Sequence, residues 1–215
     1  MSLRTLTRAK PNFKIFQKPE FRTFQTILDF KNNPNSINEV ITRSDKEIGG
    51  FSICKFVVDP KLKYGTFKGY LNLDLPQDNP TVTRSGYAMF RTKDQKESWI
   101  TGESYWDWTS YDNLVLRVRG DARKYLVNVQ ANTPLITDLF QHRLYLNTPG
   151  NWETIVIPLS DFVMTNWGIV QNIEMDRSEI KTVGIGLVDK SYGPFKLDID
   201  WIKVMTDEEL YSYNT

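Results

Sequence analysis

Arg117 and Arg119 are the residues of this chain whose type and spacing most invite recognition chemistry. They stand two apart in Leu114-Val115-Leu116-Arg117-Val118-Arg119, so on an extended backbone both guanidinium groups project from one side. With Asn128 and Gln130 on the following run they make a donor-rich patch suited to carboxylates or sugar hydroxyls, and Arg84, Asp121 and Arg123 would extend this candidate binding face. The competing role is internal pairing, with Asp121 holding a turn. A second polar set is Ser44-Asp45-Lys46-Glu47-Ile48-Gly49-Gly50-Phe51-Ser52. Its adjacent glycines permit backbone conformations closed to other residues, which makes Ser44, Asp45, Lys46, Gly49 and Gly50 candidate loop contacts. The run lacks the Lys-Ser/Thr of a phosphate loop and any following helix, so a tight turn is its expected role.

Catalytic and metal-binding sets are missing. Asp198 and Asp200 share one face of a strand-like run, a geometry open to acid–base work or a cation, but no third ligand accompanies them. A single Cys54 and a single His142 exclude the usual zinc sites, and no GxSxG, HExxH or GxGxxG motif occurs. No catalytic residue, metal or cofactor is expected; an enzyme working through Asp198 and Asp200 is the distant option. Aromatic residues make up 13% of the chain, and Trp99, Tyr105, Trp106 and Trp108 cluster. That cluster is either a plug on a core or an exposed platform. Trp167, beside Gly168, is a loop aromatic, and with Trp106 it completes the candidate contacts.

The elements that must position these residues follow period two. Phe195, Leu197, Ile199 and Trp201 alternate with Lys196, Asp198 and Asp200, the pattern of a strand with one wet face. Leu114–Arg119 and Tyr125–Gln130 alternate likewise across Gly120-Asp121-Ala122-Arg123, which predicts a hairpin with Val118 opposite Tyr125 and Leu116 opposite Val127. Further strands are expected at Phe51–Val58, Tyr64–Asp74, Gly86–Arg91, Asp138–Leu146, Trp152–Pro158 and Thr182–Val188, separated by turn signals such as Asp59-Pro60 and Pro149-Gly150. Helical signals are confined to Ser160–Val163, the vicinity of Asp176–Ile180, and Asp207–Tyr211. Many evenly spaced short strands predict an all-β, jelly-roll β-sandwich over residues 24–215.

The 215 residues carry 27 Lys+Arg against 26 Asp+Glu, a balance unlike a nucleic-acid-binding surface. No apolar run is long enough to span a bilayer. The start differs from the rest: Arg4, Arg8, Lys10, Lys14 and Lys18 precede the first acid, Glu20. Residues 1–23 therefore read either as a presequence-like segment or as a basic arm.

Six segments together resemble the complex I intermediate-associated protein 30 family: Ser44–Ser52, Arg84-Ser85-Gly86-Tyr87-Ala88, Tyr111-Asp112-Asn113-Leu114, Leu116-Arg117-Val118-Arg119-Gly120-Asp121, Trp152-Glu153-Thr154-Ile155-Val156-Ile157-Pro158 and Gly193-Pro194-Phe195-Lys196-Leu197-Asp198-Ile199-Asp200. They run in order from about residue 37 to residue 205. Ala122 departs from the family's usual Gly. The resemblance implies a galactose-binding-domain-like jelly roll and a non-catalytic chaperone or scaffold for mitochondrial respiratory complex I, in the matrix and peripheral to the inner membrane. The implied partners are other assembly factors, including an acyl-CoA dehydrogenase-like protein, and membrane-arm subunits. The alternative expectation is a carbohydrate-binding module of the same fold, using Arg117, Arg119 and Asn128.

Overall fold

Alternation along the chain resolves into thirteen strands in a computed structural model that describes residues 22–59, 61–77, 79–95 and 104–213. They are β1 (Phe24–Asp29), β2 (Val40–Ser44), β3 (Ile53–Asp59), β4 (Tyr64–Leu71), β5 (Ala88–Thr92), β6 (Asn113–Gly120), β7 (Tyr125–Ala131), β8 (Asp138–Arg143), β9 (Glu153–Pro158), β10 (Val163–Asn166), β11 (Ile169–Gln171), β12 (Ile180–Leu187) and β13 (Gly193–Met205). Short 3-10 turns lie at Pro34–Glu39, Asp45–Ile48 and Leu159–Asp161, and helix α1 spans Asp207–Tyr213. The basic arm and Trp99 lie outside the described residues.

Two antiparallel sheets face each other. The first has the order β3-β4-β13-β6-β9, with β1 paired to the far half of β13; the second has the order β11-β10-β8-β7-β12-β5-β2. Phe67, Leu116, Val118, Leu197 and Ile199 of the first sheet and Phe90, Tyr125, Val127, Phe140 and Ile185 of the second are buried in one core. Burying such side chains contributes roughly 1.5–3 kcal/mol apiece.

The expected hairpin does not form. β6 is flanked by β13 on one side and β9 on the other, so no edge is left for β7, which lies in the opposite sheet between β12 and β8. Asp121 steers this change of layer: its carboxylate accepts from the Arg123 N–H, the Tyr125 hydroxyl and the Lys196 N–H at 3.0, 3.0 and 2.7 Å. The apolar faces of β6 and β7 therefore meet across the core instead of lying side by side. Trp201 is a second correction. A bulge between Ile199 and Trp201 inserts Asp200 as an extra residue and reverses the alternation, so Trp201 packs on the outer side with Val115, Met205 and Leu210 of α1. Around Asp176–Ile180 the chain makes a turn and enters β12 instead of a helix.

Close packing of β12 gives a contrast between two glycines. A Cβ at Gly184 would lie 2.3 Å from the Phe90 carbonyl oxygen, which is fixed in the β5 ladder, whereas one at Gly186 would meet the movable Asn128 amide at 3.0 Å. Gly184→Ala is expected to cost about 3 kcal/mol or more, and Gly186→Ala under about 1.5 kcal/mol. Urea denaturation of both variants checks this, and equal losses would refute it.

Candidate functional site

The outer face of the first sheet carries the predicted arginines. Asp198 on β13 is only 2% exposed, and burial of a carboxylate requires charge pairing and hydrogen bonds. Arg119 supplies both, its Nε and Nη2 lying 3.0 and 2.7 Å from one Asp198 oxygen, while the Thr66 hydroxyl donates to the other at 2.7 Å. The Arg119 guanidinium stacks over the Tyr64 and Trp152 rings at 5.2 and 4.9 Å and also donates to the Tyr64 hydroxyl at 3.0 Å, a partly exposed cation–π arrangement. Arg117 is looser, 3.5 Å from Asp200. Burial pushes the Asp200 carboxyl up, against the pull of Lys31 and Arg117. Tyr64 and Trp152 were absent from the sequence-based candidates, since only strand pairing reveals that they flank Arg119.

Four of the predicted binding residues, Arg123, Asp121, Asp45 and Ser44, spend their side chains inside the structure. Arg123 donates to both Asp189 oxygens (2.7 and 2.8 Å) and to the carbonyls of Ser191, Gly193 and Pro194, which engages its full set of donors on the loop entering β13. Asp121 holds the crossover described above. Asp45 is fully buried and accepts from Ser52 N–H, Ser52 hydroxyl, Ser85 hydroxyl and Gly86 N–H at 2.7–2.9 Å. Ser44 is buried beside it and donates to the Ser52 carbonyl. Gly50 is required there, because a Cβ would stand 2.4 Å from the Asp45 side chain, and Gly49 takes φ +91°. These residues tie loops together; Lys46 on the same turn remains exposed.

Other candidates separate in space. Asn128 lies on the outer face of the second sheet, remote from the arginine face because its strand changed layer. Its side-chain oxygen accepts from Gln141 at 2.7 Å. It borders a groove of about 750 Å³ whose lining includes Met89, Arg91, Gln130, Leu135 and Ile136 and, among the described residues, no aromatic ring. Arg84 is exposed on the loop before β5. Trp106 stacks on the buried Trp108 (ring centroids 6.1 Å) and plugs the core. Trp167 is 75% exposed, at φ +50° in the β10–β11 turn. Cys54 is half-buried, with burial pushing its thiol up. No cluster of three or more metal-ligating side chains occurs among the described residues.

Segments that carry the family resemblance thus meet in pairs: Ser44–Ser52 with Ser85-Gly86 through Asp45, and β6 with β13 through Arg119–Asp198. The profile described as Complex I intermediate-associated protein 30 matches residues 28–199. The chain belongs to this family. It is 39% identical to mitochondrial complex I intermediate-associated protein 30 of Neurospora crassa over 67% of this chain and 52% of that protein. The mouse protein of that name is 31% identical over 80% and 53%, and the Drosophila melanogaster one 33% over 87% and 65%. The chain thus spans between half and two-thirds of these relatives. Among solved structures, a family 11 carbohydrate-binding module from Clostridium thermocellum, in complex with a β-1,3-1,4-mixed-linked tetrasaccharide, matches at TM-score 0.56 and 15% identity, covering 85% of this chain and 95% of that one. That likeness shows the jelly-roll β-sandwich, and no more than the fold.

Two predictions follow from the ion pairs. Arg119→Ala takes the nearer cation from the buried Asp198, leaving it Lys196 and the Thr66 hydroxyl, and is expected to cost about 2–4 kcal/mol, against under about 1 kcal/mol for Arg117→Ala; similar losses in urea melts would contradict the ranking. Burial pushes the Asp189 carboxyl up, but the hydrogen bonds and charge of Arg123 outweigh it and hold it below the ordinary carboxylate range. The stability it contributes is complete above its unfolded value of about 3.9 and is lost as pH falls through the lower folded value. Between about pH 5 and pH 2, the native chain should therefore lose more stability than Asp189→Asn, and parallel acid limbs would be inconsistent with this.

Proposed function

We propose that this chain serves the assembly of mitochondrial respiratory complex I as a non-catalytic docking protein. The family match over residues 28–199 carries this reading, supported by relatives named as mitochondrial complex I intermediate-associated proteins. In this reading it works in the matrix, peripheral to the inner membrane through its partners. Those partners are other assembly factors, including an acyl-CoA dehydrogenase-like protein, and membrane-arm subunits. The exposed parts of the first sheet's outer face, with Arg117, Arg119 and their aromatic neighbours, serve as a recognition surface, and Lys46, Arg84 and Trp167 offer loop contacts. Among the described residues no helix is long and apolar enough to cross a membrane.

The carbohydrate-binding alternative finds less support at residue level. Sugar rings are commonly bound by stacking on aromatic faces beside a few aimed polar groups. The groove on the second sheet has no such face among its described lining residues, and Asn128 is separated from Arg117 and Arg119.

Deletion of the gene, followed by native gel separation of respiratory complexes, tests the assembly reading. The expected result is depleted mature complex I with accumulated partial assemblies, restored by re-expression. Normal complex I in the deletion strain would overturn it.

A further inference from the structure

Strand register on the outer face of the first sheet lines up three lysines. Lys55 on β3 lies opposite Lys68 on β4, and Lys68 lies opposite Lys196 on β13. All three alternate with core-facing neighbours and so project outward. Like charges directly opposite across strands repel and destabilise a sheet. Lys196 is partly offset by Asp198 at 3.3 Å, but Lys55 and Lys68 form no ion pair among the described residues. The adjacent outward row is apolar: Ile53 opposite Tyr70 opposite Pro194, with Ile53 and Tyr70 51% and 45% exposed. The two rows border a shallow groove of about 470 Å³.

We infer that this paired row of lysines and apolar side chains is a docking groove for an acidic, amphipathic segment of a partner protein, lying across β3, β4 and β13. Charge complementarity selects the occupant: acidic side chains relieve the repulsion among the lysines while apolar ones cover Ile53 and Tyr70. A flat anionic bilayer fits less well, because the same face carries Asp59 and Asp200 beyond the lysine row. A narrow segment confined to the two rows avoids those acids. That the occupant is a protein rests on the docking reading above; the groove's preference for acidic ligands does not.

The test uses the full chain and a short fluorescein-labelled peptide alternating Glu with Leu, its counterpart with Lys for Glu, and phosphatidylcholine vesicles containing phosphatidylglycerol. The Glu peptide is expected to bind by fluorescence anisotropy, more weakly at high salt, and the Lys peptide not to bind. Lys68→Gln should lower affinity roughly tenfold while raising the melting temperature by about 2–4 °C. A structural role for Lys68 would move the melting temperature the other way. No binding of the Glu peptide, binding indifferent to Lys68→Gln, or binding to the vesicles alone would each overturn the proposal. Peptide binding with normal complex I in the deletion strain would sink the assembly reading and leave the groove standing; the reverse pair of results would do the opposite.

Discussion

Asp198 imposes the constraint on which the outer face of the first sheet depends. A carboxylate almost closed off from water in the middle of a sheet is tolerable only when paired and hydrogen-bonded. Its demand fixes Arg119 in one rotamer, and that guanidinium in turn sets the Tyr64 and Trp152 rings around it. Lys196 is drawn toward the same carboxylate. One acid thereby serves two cations, and among the described residues no ion pair neutralises Lys55 or Lys68. The electrostatic character of the surface follows from that shortage as much as from the number of lysines.

Much of the layered architecture was legible in side-chain alternation, because a half-buried strand must repeat every two residues. Leu114–Arg119, Tyr125–Gln130 and Phe195–Ile199 all present the expected faces. Alternation is silent about partners, however. A hairpin and a crossover between layers ask for the same apolar spacing from β6 and β7, and the decision rests on β9 and β13 occupying both sides of β6. The bulge at Asp200 is hidden for a related reason: an extra residue changes which face follows, yet no residue type announces it. The hairpin of β10 and β11 is short, too short for a periodic signal to stand out.

The binding residues were less legible than the strands, and the physical cause is shared. Polar side chains in loops read as candidates for outside contacts, but a loop also holds backbone N–H and C=O groups that must be satisfied. Asp45, Asp121 and Arg123 meet that internal need. The adjacent Gly49-Gly50 was a usable sign, since a Cβ on Gly50 would collide with the Asp45 side chain it closes over. What no local pattern could show is distance along the chain: Arg123 clasps Asp189, and Lys55, Lys68 and Lys196 become neighbours only when β3, β4 and β13 pair.

The same sandwich supports carbohydrate recognition in structures that share little sequence with this chain, so the fold leaves function open and the two outer faces have to be weighed separately. The second sheet offers the roomier groove, yet its amides are partly committed to one another, as Gln141 is to Asn128, and no aromatic ring lines it among the described residues. The first sheet offers less volume but an unbalanced charge row beside exposed apolar side chains. In an isolated molecule that combination is unfavourable on both counts, through repulsion between lysines and hydration of Ile53 and Tyr70. A single acidic, amphipathic partner removes both penalties at once, whereas a neutral polar ligand removes neither.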